Sequence, residues 1–148
     1  MSRTRILAID FGKARLGLAV SDAERNLASP LENYTRKDTK QDAQHLLDVI
    51  EKEEIGLIVV GLPVHLDGRE GTAAKKSRAF GKWLHETSEL PCVYYDERFS
   101  TVEAESALWE AGLTHKKRKA RRDQVAAQIL LQAFLDAGCP LEEIPRPL

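Results

Sequence analysis

The chain has 148 residues, 43% hydrophobic and 30% charged, which excludes disorder as its main state and allows one domain with a proper core. Its net charge of −1 excludes a generally basic nucleic-acid binder, and no stretch approaches the ~20 apolar residues of a membrane span. That average hides one cluster: Lys116, Lys117, Arg118, Lys119, Arg121 and Arg122 crowd together without an acid, and removing these six charges from a chain of net charge −1 leaves −7. Such a run is a candidate contact for a polyanion. Cys92 and Cys139 form no CxxC pair and have no zinc spacing with the histidines, as in a reduced protein. The N-terminus lacks the apolar core of a signal peptide, so the expectation is a soluble, cytoplasmic protein without a membrane partner.

In chain order, Ile6 to Ile9 is a short continuous apolar run, expected as a strand buried on both faces. Asp10 stands where it should end. Gly12 permits a tight turn, and Leu16 to Val20 reads as the return strand of a hairpin. Ala28 to Tyr34 is a third strand, marked as an edge by Pro30. Asp38 and Gln41 form a capping box for a helix whose expected buried stripe is Ala43, Leu46, Leu47 and Ile50. Ile55 to Val60 is a second buried strand, ending in a Gly61-Leu62-Pro63 turn and a loop through Asp67-Gly68. Thr72 to Thr87 reads as a helix with Ala73, Phe80, Trp83 and Leu84 available to a core. Pro91 to Tyr95 is a short strand that stops at Asp96-Glu97-Arg98. Ser100 and Glu103 begin a helix that Gly112 ends. The basic run is expected as a linker, followed by a last helix from about Asp123 to Ala137, closed by Gly138 and Pro140.

The string β-β-β-α-β-α-β-α-α predicts an α/β fold. Three strands form an antiparallel meander, two crossover units add parallel strands, and helices cover both faces of the mixed five-stranded sheet. Residues 1–148 are expected to form a single domain, with its core at about 5–137 and a tail at 138–148.

In open α/β sheets, sites form beyond the carboxyl ends of the parallel strands. Asp10 and Asp96-Glu97 lie at such ends. Asp123 shares a helix face with Ala126, Ala127 and Leu130, where a carboxylate is costly unless paired or bound to a cation. Three converging acids make a hard-oxygen site suited to Mg²⁺ or Mn²⁺. Two such ions ~4 Å apart activate water and stabilise the leaving oxygen of a phosphodiester. Each acid also has a plainer reading: Asp10 as a turn residue, Asp96 or Glu97 as a partner of Arg98, Asp123 as a helix N-terminal acid. Neighbours on a strand point to opposite faces, so normally one of Asp96 and Glu97 enters the site; the residues alone do not say which.

These same residues resemble the YqgF family, also called RuvX, of small bacterial proteins. The resemblance rests on Asp10-Phe11-Gly12 with Arg15 and Gly17, on Gly61-Leu62-Pro63 with Asp67-Gly68 and Gly71, on Asp96 to Thr101 with Glu103-Ala104, and on Asp123 with Ala126, Ala127 and Ile129-Leu130. It departs from the family's pattern at Lys13-Ala14-Arg15 and at His65, neither of which is an acid. It implies a ribonuclease H-like fold and a nuclease with two divalent ions that matures the 5′ end of pre-16S ribosomal RNA. Resolvase-like action on branched or single-stranded DNA is the alternative substrate class.

By the same resemblance, Asp10, Glu97 and Asp123 are the metal-binding and catalytic acids. Lys13, Arg15, Arg98 and the run from Lys116 to Arg122 are the expected phosphate contacts. A monomer suffices for trimming RNA, whereas a branched substrate favours a homodimer. Two other classes remain at this point. One is a non-catalytic RNA- or ribosome-binding module. The other is a phosphotransferase, since Asp10-Phe11-Gly12 with Gly17 also resembles the phosphate loop of actin-like ATPases, which pair two such domains.

Overall fold

The structure is a computed structural model that describes residues 4–63, 68–97 and 115–140, with the side chains of 115–124 outside that description. Five strands form one sheet in the order β3-β2-β1-β4-β5. They are β1 (Arg5–Phe11), β2 (Arg15–Ser21), β3 (Ala28–Thr35), β4 (Ile55–Leu62) and β5 (Cys92–Asp96). The first three pair antiparallel, and β4 and β5 add parallel to β1, as the crossover pattern predicts. β1 is central, and Ile6 to Ile9 have no exposed surface at all. That is why its apolar run is continuous rather than alternating.

Alternation along the strands sorts side chains into two layers. Leu7, Ile9, Leu16, Leu18, Ile58 and Val60 pack on one face against α1 (Thr39–Lys52) and α2 (Thr72–Ser88). Ile6, Ala8, Ala19, Leu57 and Val59 pack on the other against α3 (His115–Asp136) through Ala127, Leu130, Leu131 and Phe134. The three-layer arrangement is thus the expected one. Pro30 sits where the β2–β3 register slips, with Leu18 opposite Glu32 but Ala19 opposite Pro30. A bulge on an edge strand tolerates the missing amide.

The last helix departs most from expectation. It starts at His115, so the basic run is helix rather than linker, and Asp123 lies in its third turn rather than at its start. Lys, Arg and Ala are good helix formers, and no glycine or proline interrupts the segment. A start placed at the first apolar period misses such a polar extension. The helix does close at Gly138, whose φ is 85°. Its core half is tied to the start of β3: the Ala28 amide donates to Gln132 Oε1 (2.9 Å), and Gln128 Nε2 donates to the Ala28 carbonyl (3.3 Å).

Two buried faces are also rotated from the expected ones. In α1, Asp38 caps the Gln41 amide as predicted, but the buried line is Asp42, Leu46 and Val49. Ala43 and Leu47 are only half-buried. A buried aspartate carries no apolar signal, so apolar periodicity alone places the stripe one position off. In α2, Ala74, Ser77, Phe80, Gly81 and Leu84 are buried, whereas Ala73 is exposed. Gly81 is needed there because a Cβ would meet the Tyr94 ring and hydroxyl at 2.5–2.8 Å. The helix expected from Ser100 lies outside the described residues, as do Asp67 and His65.

Candidate active site

Strand parity decides which acids share a face. Asp10 follows Ile6 and Ala8 on the α3 side of β1. In β5, Val93 and Tyr95 pack in that α3-side layer, while Cys92 and Tyr94 pack in the other. Glu97, immediately after the strand, continues the first set, and Asp96 continues the second. The choice left open by the residues thus resolves toward Glu97. The Asp96 charge works to raise both the Glu97 carboxyl and that of Glu70, the partner of Arg78.

Asp10 and Glu97 meet: their side chains are hydrogen-bonded. Burial first, and then this bond and the Asp10 charge, push the Glu97 carboxyl up to about 9. At neutral pH the pair therefore holds a proton that two free carboxylates would not.

The space for the pair is made by glycines. Asp10 stands opposite Gly17 on β2, and Gly61 follows Val60, the partner of Ile9, on β4. A Cβ on Gly61 would lie 2.4 Å from Glu97 Oε1. Gly61 is therefore an in-strand cradle for Glu97, whereas a turn was expected there. Asn33 extends the row, opposite Gly17 on β3. Directly paired residues project to the same face, so Asn33 shares the side of Asp10 about 10 Å away, two strand spacings. Among the described residues its buried Oδ1 has no hydrogen-bond partner. Nothing in the sequence marks Asn33, because its position depends on the register beyond the Pro30 bulge.

The other expected contacts are placed unevenly. Lys13 is exposed on the β1–β2 hairpin and Arg15 is half-buried at the start of β2. The six cations lie on the first two turns of α3, and Asp123 lies one turn before buried Ala127, with the backbone alone described for both. Arg98 lies outside the described residues. Among the described residues no group of three His, Cys, Asp or Glu is arranged to hold a metal ion.

The donor chemistry nevertheless suits a hard cation. Two carboxyls held in hydrogen-bonding contact, one of them buried, form a pair whose repulsion a divalent charge would relieve. Among the described residues, no helix is long and apolar enough to cross a membrane.

The chain is 45% identical over 133 residues to a Rhodopirellula baltica protein named "Putative pre-16S rRNA nuclease", covering 90% of this chain and 77% of the relative. A Koribacter versatilis protein of the same name is 45% identical over 132 residues, covering 89% and 86%. The fold is that of the Thermus thermophilus RuvC structure in complex with a Holliday junction (TM-score 0.57, 16% identity, 98% of this chain and 99% of that one). It is equally that of the fowlpox virus resolvase (TM-score 0.57, 10% identity, 93% and 100%). The ribonuclease H-like expectation holds for the sheet and its layers. The family model described as RuvX, Holliday junction resolvase, matches residues 4–137, and the chain belongs to that family.

Proposed function

We propose that this chain is a cytoplasmic, divalent-metal-dependent nuclease, with residues 1–148 as its single domain, its core at about 5–137, and the precursor of 16S ribosomal RNA as its substrate. The observation that carries the chemistry is the hydrogen-bonded pair of Asp10 and Glu97 over Gly61. The name carried by the curated relatives supports the substrate, and the resemblance narrows it to 5′-end maturation.

Asp10, from the central strand, and Glu97, from the end of β5, would hold the cation. Asp123 would complete the set from α3, on the helical line of Ala127 and Leu130 that packs on the same face. Mg²⁺ or Mn²⁺, singly or as two ions, supplies Lewis-acid chemistry there: a more acidic water and neutralised phosphate oxygens. Asp10 fixes the site to the rigid centre of the sheet. Glu97 carries a proton until a positive charge enters, so loading and deprotonation are linked. Lys13, Arg15, Arg98 and the cations from Lys116 to Arg122 would hold the strand's phosphates.

Cleavage of model pre-16S RNA in Mg²⁺ and Mn²⁺ tests this. Removal of a residue that only orients a ligand costs 10–100-fold, so Asp10→Asn should lose at least ~100-fold. Wild-type cleavage by Asp10→Asn would sink the assignment. The family's resolvase description favours a second reading, action on branched DNA. A four-way DNA junction in the same assay decides between them by which substrate is cut.

A further inference from the structure

On the opposite face from Asp10 and Glu97 lies a groove that the nuclease chemistry does not use. It comprises two adjoining cavities. One, of ≈ 300 Å³, lies between α1 and α2 and is lined by Phe11, Arg36, Asp42, Lys76, Phe80 and Trp83. The other, of ≈ 310 Å³, opens beside the β1–β2 hairpin and is lined by Gly12, Lys13, Thr72 and buried Ser77. Phe11 and Lys76 border both.

The first cavity is aromatic. Phe11 and Phe80 lie 4.8 Å apart between centroids, and Phe80 and Trp83 lie 5.6 Å apart. The second is cationic. Lys13 and Lys76 are exposed, and neither forms an ion pair among the described residues. The first turn of α2 also faces this end, and its N-cap Gly71 supplies no side-chain acceptor for the amides there. The acid in the groove is already engaged. Asp42 accepts from the Tyr34 hydroxyl (2.8 Å), the Lys37 amide (2.8 Å) and Arg36 Nε (3.4 Å). Positive charge beside a cluster of tilted aromatic rings suits a single nucleic-acid strand, whose backbone is drawn by cations and whose bases stack on aromatic faces.

We infer that this groove is a binding subsite for a single-stranded flank of the nucleic-acid substrate. A phosphate sits at Lys13 and Lys76, and a base sits against Trp83; Phe11 is already covered by the Arg36 guanidinium, 5.1 Å from its centroid, and by Phe80. Asp10 and Phe11 are neighbours in β1 with side chains on opposite faces. One strand crossing the exposed hairpin tip at Lys13 therefore reaches both sites. The subsite rests on the nuclease reading for its substrate class but not for its chemistry.

The test measures binding of a fluorescein-labelled single-stranded RNA to the full chain in EDTA, by anisotropy across a salt series. Lys76→Glu should reduce the slope of log affinity against log salt by about 0.7 or more. Trp83→Leu, which keeps an apolar side chain, should weaken binding about tenfold. An abasic strand should bind Trp83→Leu and wild type alike. Lys52→Glu, which lies outside the groove, is the charge control and should leave the slope unchanged. Thermal melts confirm that each variant is folded.

Wild-type affinity and slope in both groove variants would overturn the subsite and leave the groove to a protein partner or a second copy. Cleavage in Mn²⁺, measured separately, keeps the two readings apart. Lost binding in the variants of a chain that never cleaves would sink the nuclease alone. Normal binding by variants of a cleaving chain would sink the subsite alone. A wild type that neither binds nor cleaves would overturn both.

Discussion

At the scale of single residues, the site is organised by the hydrogen bond between Asp10 and Glu97. Glu97 is raised from the ordinary 4.5 to about 9 by burial and by its bond to Asp10. A raised carboxyl favours the protonated fold. Its stabilising contribution is complete below about pH 4.5 and is lost as pH rises toward about 9. In EDTA, the melting temperature of the wild type should therefore fall across this window, and Glu97→Gln should remove that decline while abolishing cleavage. Calorimetry at several pH values checks this; an unchanged slope in Glu97→Gln would assign the decline to other groups. Cation affinity should rise over the same interval, because binding requires the proton to leave.

Gly61→Ala probes the cradle directly. Its methyl would meet Glu97 Oε1 at 2.4 Å, and the far end of a flexible side chain can move aside. The fold should survive and cleavage should drop at least ~10-fold, a pairing of outcomes that melting and activity read separately. Asn33→Ala should cost little stability, since it removes a buried acceptor that has no partner among the described residues.

At the scale of elements, α1 and α3 are held by different means. α1 docks through a buried acid. Burial works to raise the Asp42 carboxyl, but the Lys37 amide, the Tyr34 hydroxyl and Arg36 outweigh it and hold it below its usual 3.8. A depressed carboxyl stabilises the fold above about pH 3.8, and this is lost as pH falls through the folded value. Asp42→Asn should cost ~2 kcal/mol at neutral pH and shrink the acid-unfolding limb, as urea titrations at pH 7 and pH 3 would show. α3 docks through apolar packing against β1, β2 and β4. Leu130 is 1% exposed, and Leu130→Ala should cost ~3 kcal/mol by transfer and cavity terms. Asp42 also shows why a helix face can be misread. Apolar periodicity sees Leu46 but not the carboxylate one turn before it. The run from Lys116 to Arg122 is helical without any apolar period of its own to announce it.

At the scale of the whole molecule, the sheet places a cation-ready carboxyl pair on one face and a basic aromatic groove on the other, joined by the hairpin tip at Lys13. If Mg²⁺ or Mn²⁺ binds the folded chain alone, a cation concentration 100 times its dissociation constant should add about 2.7 kcal/mol of stability. EDTA should reverse that gain, and Asp10→Asn should not show it. A melting temperature indifferent to Mn²⁺ would count against the metal site.

The strand order was legible because buried parallel strands must be continuously apolar and crossovers must be right-handed, constraints that act locally along Ile6 to Ile9 and Ile55 to Val60. The candidacy of Asp10, Glu97 and Asp123 was likewise visible in residue type, spacing and family resemblance. Only the tertiary structure put Glu97 rather than Asp96 beside Asp10, laid Glu97 over Gly61, brought Asn33 into the same row and opened the groove behind Phe11. Those outcomes depend on pairing register and on which face each strand end presents. One residue of slip inverts every side chain, and no local pattern in the chain reports it.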